Sequence, residues 1–163
     1  MKARSENRIG EPAEFSRRRT LKVCVLYEEM ADWERAWLML DHLHTSSGVK
    51  FKVDWYSFDE LPMLFDKARD QATEADVLLV ANARRRRVPK ELRRWLEAVR
   101  STPTGKAAAV IGLFTTEDSQ DGICPWELLL EDIALATGRD LFIRTTEGAI
   151  DSAAVQNVFD NSR

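Results

Sequence analysis

Four consecutive arginines are the feature of this sequence that points most directly to chemistry. They follow an apolar run and precede a helix that Pro89 is expected to open. The basic patch comprises Arg84, Arg85, Arg86 and Arg87, followed by Lys90, Arg93 and Arg94. A guanidinium donates N–H bonds in a planar fork that fits carboxylates and phosphates. Because positive charge at a helix N-terminus costs about 0.3–1 kcal/mol per charge, we expect the patch to meet negative charge.

Two sources of negative charge are open to the basic patch. One is internal, on neighbouring loops: Glu28, Glu29, Asp32, Glu117 and Asp118. The other is external, either a small anionic ligand such as a phosphate or nucleotide, or an acidic protein surface, including that of a second copy in a homodimer. Nucleic acid is disfavoured because Trp95 follows the buried spacing of its helix and the net charge is -3.

The first acidic loop is a weaker candidate for chemistry. Glu28 and Glu29 follow the first apolar run and have the oxygen ligands that Mg²⁺ prefers. A helix cap and a solvated turn explain them more simply, so no metal site is expected. His42 and His44, two residues apart on a predicted helix, point to different faces and do not form a metal pair. Cys124, beside Pro125, is interpreted as a cap or packed turn residue, not as a nucleophile.

Composition restricts the class of protein. The chain has 163 residues, of which 44% are hydrophobic and 31% charged, so it can bury the core of one domain. Two cysteines, Cys24 and Cys124, make no disulfide framework and fit a cytoplasmic setting. No apolar run approaches the ~20 residues that a membrane span needs. We expect residues 1–19 to form a disordered or loosely docked basic tail and residues 20–163 to form a single domain.

Strands and helices are predicted to alternate along that domain. The strands are expected at 21–27, 49–56, 76–81, 107–114 and 141–144, and the helices from about Asp32, Asp59 and Pro89, from Pro125 to Gly138, and from Ser152 to Phe159. The second strand alternates apolar and polar residues and therefore belongs at an edge, whereas the first, third and fourth are apolar on both faces. This pattern predicts a parallel five-stranded sheet in the order 2-1-3-4-5 within a three-layer α/β/α sandwich.

This architecture resembles the flavodoxin-like superfold, which includes flavodoxins and response-regulator receiver domains, over about residues 20–163. The resemblance implies that ligands lie outside the carboxyl ends of the strands, near the switch point between the first and third strands. The arginine run lies at that edge. Asn82 and Thr115, which follow the third and fourth strands, join it as candidate ligand-binding residues.

The resemblance also implies two alternative functions. A flavodoxin would hold the phosphate of FMN on a loop rich in Ser, Thr or Gly, but the loop here reads Tyr27-Glu28-Glu29-Met30-Ala31. A receiver domain would use Glu28 and Glu29 for Mg²⁺, but Asn82 stands near the place of its phosphoacceptor. We expect a non-catalytic binding or interaction module with no cofactor; a flavin- or nucleotide-binding oxidoreductase and a degenerate receiver domain are the alternatives.

Overall fold

Strands and helices alternate from Thr20 to Thr146 in this protein. The structure is a computed structural model, which describes residues 20–83, 87–102, 109–115 and 124–146. Within those ranges it has five strands and four helices: β1 Thr20–Tyr27, α1 Met30–Ser47, β2 Lys50–Ser57, α2 Phe65–Glu74, β3 Val77–Ala83, α3 Lys90–Arg100, β4 Ala109–Thr115, α4 Pro125–Thr137 and β5 Asp140–Thr146. No helix in these ranges has the length and apolar character needed to cross a bilayer.

All five strands are parallel and form one sheet in the order β2-β1-β3-β4-β5. Thr20 pairs with Lys50 at one edge, and Ala109 pairs with Asp140 at the other. The alternating strand β2 is an edge strand, as its pattern predicts. The predicted fold class and strand order are therefore confirmed.

The core is divided by the sheet into two clusters. On one face, α2, α3 and α4 cover residues such as Leu78 and Val80. On the other face, α1 covers residues such as Val25 and Leu79. The three layers follow, because strands that are apolar on both faces need helices on both sides. As a result, α1 and α3 lie on opposite faces of the sheet.

Helix α1 begins earlier than the sequence predicts, and helix α2 begins later. Helix α1 starts at Met30, with Glu29 as its N-cap, so Asp32, where the helix was expected to begin, is inside the first turn. Helix α2 starts at Phe65 and not near Asp59. Residues 59–64 form turns, where the Ser57 backbone N–H donates to a Glu60 carboxylate oxygen at 3.0 Å. Hydrophobic periodicity does not indicate such local hydrogen bonds between side chains and the backbone.

Other predicted features lie outside the described residues. They are the basic tail of residues 1–19, the helix from Ser152 to Phe159, and Arg84, Arg85 and Arg86 of the arginine run.

Helix α4 ends at Gly138, as predicted, and Gly138 caps it with a φ of 69°. That left-handed conformation is one that glycine adopts without the penalty of a Cβ.

Gly112 in the centre of β4 provides a test of this packing. A Cβ at this position would lie 2.8 Å from Ile143 Cδ1 and 2.8 Å from Phe114 Cε2. We expect Gly112→Ala to lower the free energy of unfolding by about 1–3 kcal/mol, because overpacking forces neighbours out of place. Urea denaturation measures it, with Ala136→Ser on the exposed side of α4 as the control. Equal midpoints for the two variants would contradict the packing described.

Candidate functional site

The carboxyl ends of the strands form the edge where the candidate ligand residues meet. Chain order reverses between β1 and β3, so the connections after these strands leave in opposite directions and create a crevice. Asn82 and Thr115 both lie at this edge, where Asn82 is in register with Phe114 and Ala83 with Thr115. Consecutive strand residues face opposite sides, so Asn82 shares a face with Phe114 and Thr115 faces the α1 side. The two predicted ligand residues therefore share the edge but not a face.

Asn82 is buried rather than open to solvent. Its side chain is 1% exposed, and its Oδ1 finds no hydrogen-bond partner in the described part of the chain. Trp126 of α4 is 0% exposed, and its Nε1 likewise lacks a partner there. The centroid of the Trp126 ring lies 5.8 Å from the ring centroid of Phe58 and 6.2 Å from that of Phe114. An aromatic cluster thus fills this end of the α2–α4 face, beside two buried polar atoms for which the described ranges supply no hydrogen-bond partner.

The acidic loop after β1 closes the N-terminus of α1. The Glu29 backbone N–H donates to Asp32 Oδ2 at 2.9 Å, and the two residues form a capping box. Asp32 is buried and also accepts a hydrogen bond from Arg35 Nη2. Burial raises the pKa of Asp32, while the Glu29 N–H and the Arg35 charge oppose that rise. The sequence did not indicate the Asp32–Arg35 pair, although its i, i+3 spacing is typical of helical ion pairs.

These residues do not fit the phosphate of FMN, the cofactor that the fold implies. A phosphate at a helix N-terminus needs free backbone N–H groups and a positive or neutral surrounding. At α1, the N-cap N–H is already bonded to Asp32, and Glu28 and Glu29 add negative charge. The loop after β1 therefore does not fit a phosphate group.

The described residues also contain no metal centre. Across these ranges, no group of three or more His, Cys, Asp or Glu side chains is placed to hold an ion. Glu29, one of the two weak candidates, is the N-cap of α1, and Glu28 precedes it. The two cysteines are buried, and burial raises the pKa of Cys24 to about 12. A thiol with that pKa is a poor nucleophile near neutral pH.

The part of the basic patch that the structure describes lies on the outer side of α3 and, at Arg87, just before it. Its members are exposed, and in the described part of the chain none of them forms an ion pair with an acidic residue: Arg87, Lys90, Arg93 and Arg94. We call these four residues the basic α3 surface. Leu92, Trp95 and Leu96 are buried on the opposite side of the helix, which leaves the charges facing outward. Asp32, one of the predicted internal partners, pairs with Arg35 instead, and Glu117 and Asp118 lie outside the described residues.

A second surface, on α1, was not predicted. Three large apolar side chains are exposed there: Met30 (64%), Trp37 (44%) and Leu38 (52%). Glu34 and Asp41 are exposed beside them. We call these five residues the acidic α1 surface. The heptad spacing of Glu34 and Asp41, on either side of Trp37 and Leu38, was the signal in the sequence.

Trp37 is exposed although its spacing matches the inner face of α1. The inner face is formed by residues such as Ala36 and Leu40. Trp37 instead stacks on Trp33, with ring centroids 6.5 Å apart, and Trp33 lies 5.4 Å from Trp55 of β2. Trp33 and Trp55 are partly buried, so this aromatic row leads from the sheet to the exposed surface.

Arg139 is a further residue whose role was not predicted. It precedes β5 and is buried, and its Nη2 donates to the Ala72 carbonyl at 2.7 Å. Burial lowers the pKa of Arg139. Arg139 thus links the end of α4 to the last turn of α2, at the opposite end of the sheet from the candidate site.

Asn82 Oδ1, which has no hydrogen-bond partner among the residues that the structure describes, generates a stability prediction. In Asn82→Leu, a side chain of similar shape replaces an amide that lacks a hydrogen bond to Oδ1, so we expect the free energy of unfolding to stay constant or rise by about 1 kcal/mol. Asn82→Asp buries a charge and should lower it by about 3 kcal/mol. Urea denaturation of both variants checks this. A clear loss of stability in Asn82→Leu would show that Oδ1 has a partner in the folded protein.

Comparison with known proteins identifies the fold. No family model matches the sequence, and no curated protein matches it. Among solved structures, the chain is similar to the apo form of the NADH:FMN oxidoreductase EMOB, with a TM-score of 0.57 and 14% identity over 87% of this chain and 88% of that one. It is similar to a flavodoxin-like domain from Synechococcus, with a TM-score of 0.51 and 12% identity over 86% and 92% of the two chains.

A third similar structure is the RPS4 and RRS1 TIR domain heterodimer, with a TM-score of 0.51 and 16% identity over 88% of this chain and 95% of that one. Identities this low establish the fold and not the activity. With its sheet in the order β2-β1-β3-β4-β5, the chain has the flavodoxin-like fold.

Proposed function

We propose that this domain is a non-catalytic binding module that recognises an acidic protein surface through the basic α3 surface. The observation that carries the proposal is the grouping of Arg87, Lys90, Arg93 and Arg94, all exposed and without an ion pair in the described part of the chain. Like charges held together repel one another, and an acidic partner relieves that repulsion. Arg84, Arg85 and Arg86 extend the positive charge in the sequence.

The shape and composition of α3 favour a protein over a nucleic acid or a small anion. Single-stranded nucleic acids are usually bound with exposed aromatic side chains that stack on bases. Trp95, the aromatic residue of α3, is buried. Small anions are usually held in concave sites, whereas the outer side of a helix is convex. A convex surface with a net positive charge fits the acidic surface of another folded protein best.

The two alternative functions have less support. One similar structure is an NADH:FMN oxidoreductase, but that activity is not carried over at 14% identity. The capping box of Glu29 and Asp32 speaks against FMN phosphate at the N-terminus of α1. A receiver domain needs an acidic acceptor after the third strand, and Asn82 is the buried residue near that position.

Charge reversal on α3 tests the proposed function. Poly-L-glutamate serves as a simple acidic probe, and isothermal titration calorimetry at low salt measures its affinity. We expect Lys90→Glu with Arg94→Glu to weaken binding by about tenfold, because two attractive contacts become repulsive. The matched control, Lys50→Glu with Lys52→Glu, makes the same change in net charge on the exposed side chains of β2.

Two results would contradict this function. Equal losses in the α3 variant and the β2 control would show that only net charge matters. Displacement of poly-L-glutamate by stoichiometric inorganic pyrophosphate would show instead that the α3 region holds a small anion.

A titration with FMN tests the flavin alternative separately. We expect no quenching of FMN fluorescence when the full chain is added, because carboxylates occupy the place where the phosphate would bind. Stoichiometric quenching by the unaltered chain would contradict this expectation and support the oxidoreductase.

A further inference from the structure

The acidic α1 surface has the composition of a protein interface. Trp37 and Leu38 lie between Glu34 and Asp41, so an apolar centre is flanked by negative charge. Such a pattern, with exposed aromatic and apolar side chains inside a charged rim, is typical of sites where another protein docks. The nearest cation on this helix, Arg35, is engaged with Asp32. The partner that fits is therefore basic.

The basic α3 surface has the complementary charge. Glu34 and Asp41 are seven residues apart, which is about 10 Å along a helix. Lys90 and Arg94 are about 6 Å apart along α3, and Arg87 precedes them. Long Lys and Arg side chains can reach both carboxylates while their methylene stems cover Leu38 and the face of Trp37.

The two surfaces cannot meet within one molecule. Helix α1 packs on one face of the sheet, and α3 packs on the other. The sheet and both helical layers separate them. Contact between them is available only between two copies of the chain.

We propose that the chain associates with itself head to tail, with the basic α3 surface of one copy bound to the acidic α1 surface of the next. This inference rests on the proposed function and names the acidic partner as a second copy. Because the two surfaces lie on opposite faces, a two-fold dimer cannot use both contacts at once. The contact is therefore heterologous, and it builds a chain or a closed ring.

Complementary charge reversal tests this arrangement in the full chain. The first variant carries Lys90→Glu and Arg94→Glu, and the second carries Glu34→Lys and Asp41→Lys. Sedimentation velocity at low salt over a concentration series measures assembly, and circular dichroism checks that each variant is folded. We expect the unaltered chain to assemble, each variant alone to lose association by about tenfold or more, and an equimolar mixture to assemble again. The mixture recovers because each junction again pairs opposite charges.

Matched variants test the apolar centre and the specificity. Leu38→Ser should weaken assembly, whereas Leu135→Ser, which alters an exposed leucine on α4, should not. Lys50→Glu with Lys52→Glu should assemble like the unaltered chain. Replacing Arg17, Arg18 and Arg19 by serine should also leave assembly intact. If that change dissolves the assembly, the N-terminal segment is the occupant of the α1 surface, and head-to-tail contact through α3 is wrong.

Other outcomes separate this inference from the function on which it rests. A monomeric chain that still binds poly-L-glutamate through α3 would overturn self-association and keep the binding module. Poly-L-glutamate binding and assembly that are both unaffected by the α3 reversal would overturn both. Failure of the mixed variants to assemble, when the unaltered chain does, would show that copies meet through other surfaces.

Discussion

The apolar character of the central strands on both faces is the constraint on which the rest of the structure depends. In β3, for example, Leu78 and Val80 point to one face, and Val77 and Leu79 point to the other. Such strands are stable only between two helical layers. The parallel crossovers follow, because each strand must be reached by a helix that returns along a face. Because both faces of the sheet must be covered, α1 lies on one face and α3 lies on the other.

The placement of α1 and α3 on opposite faces of the sheet also separates the charges of the protein. A net charge of -3 conceals a basic segment at 84–100, with eight basic and two acidic residues. The sheet keeps the α3 residues of this segment apart from the exposed Glu34 and Asp41 of α1. Opposite charges that could otherwise neutralise each other are held on opposite faces. The proposed interaction function therefore depends on where the fold places its helices.

The sequence allowed the fold to be predicted better than the site. Strict alternation in β2 and two-sided apolar runs in β3 report burial directly, so strand order could be derived. The spacing of residues in the sequence could not show which of several possible contacts a side chain makes. Asp32 bonds inside the first turn of α1, and Trp37 stacks on Trp33 although its spacing matches the core. Nor does any local pattern in the sequence show that Asn82 Oδ1 is buried without a hydrogen-bond partner in the described part of the chain.

Zero-length carbodiimide cross-linking between copies tests head-to-tail recognition most directly. Light and isotopically heavy chains are mixed, cross-linked at low salt and analysed by mass spectrometry, so that only links between a light and a heavy peptide are counted. We predict mixed-isotope links from Lys90 to Glu34 or Asp41. The exposed Lys50 and Lys52 provide an internal comparison. Assembly accompanied by mixed-isotope links from Lys50 or Lys52, with none from Lys90 to α1, would contradict head-to-tail recognition.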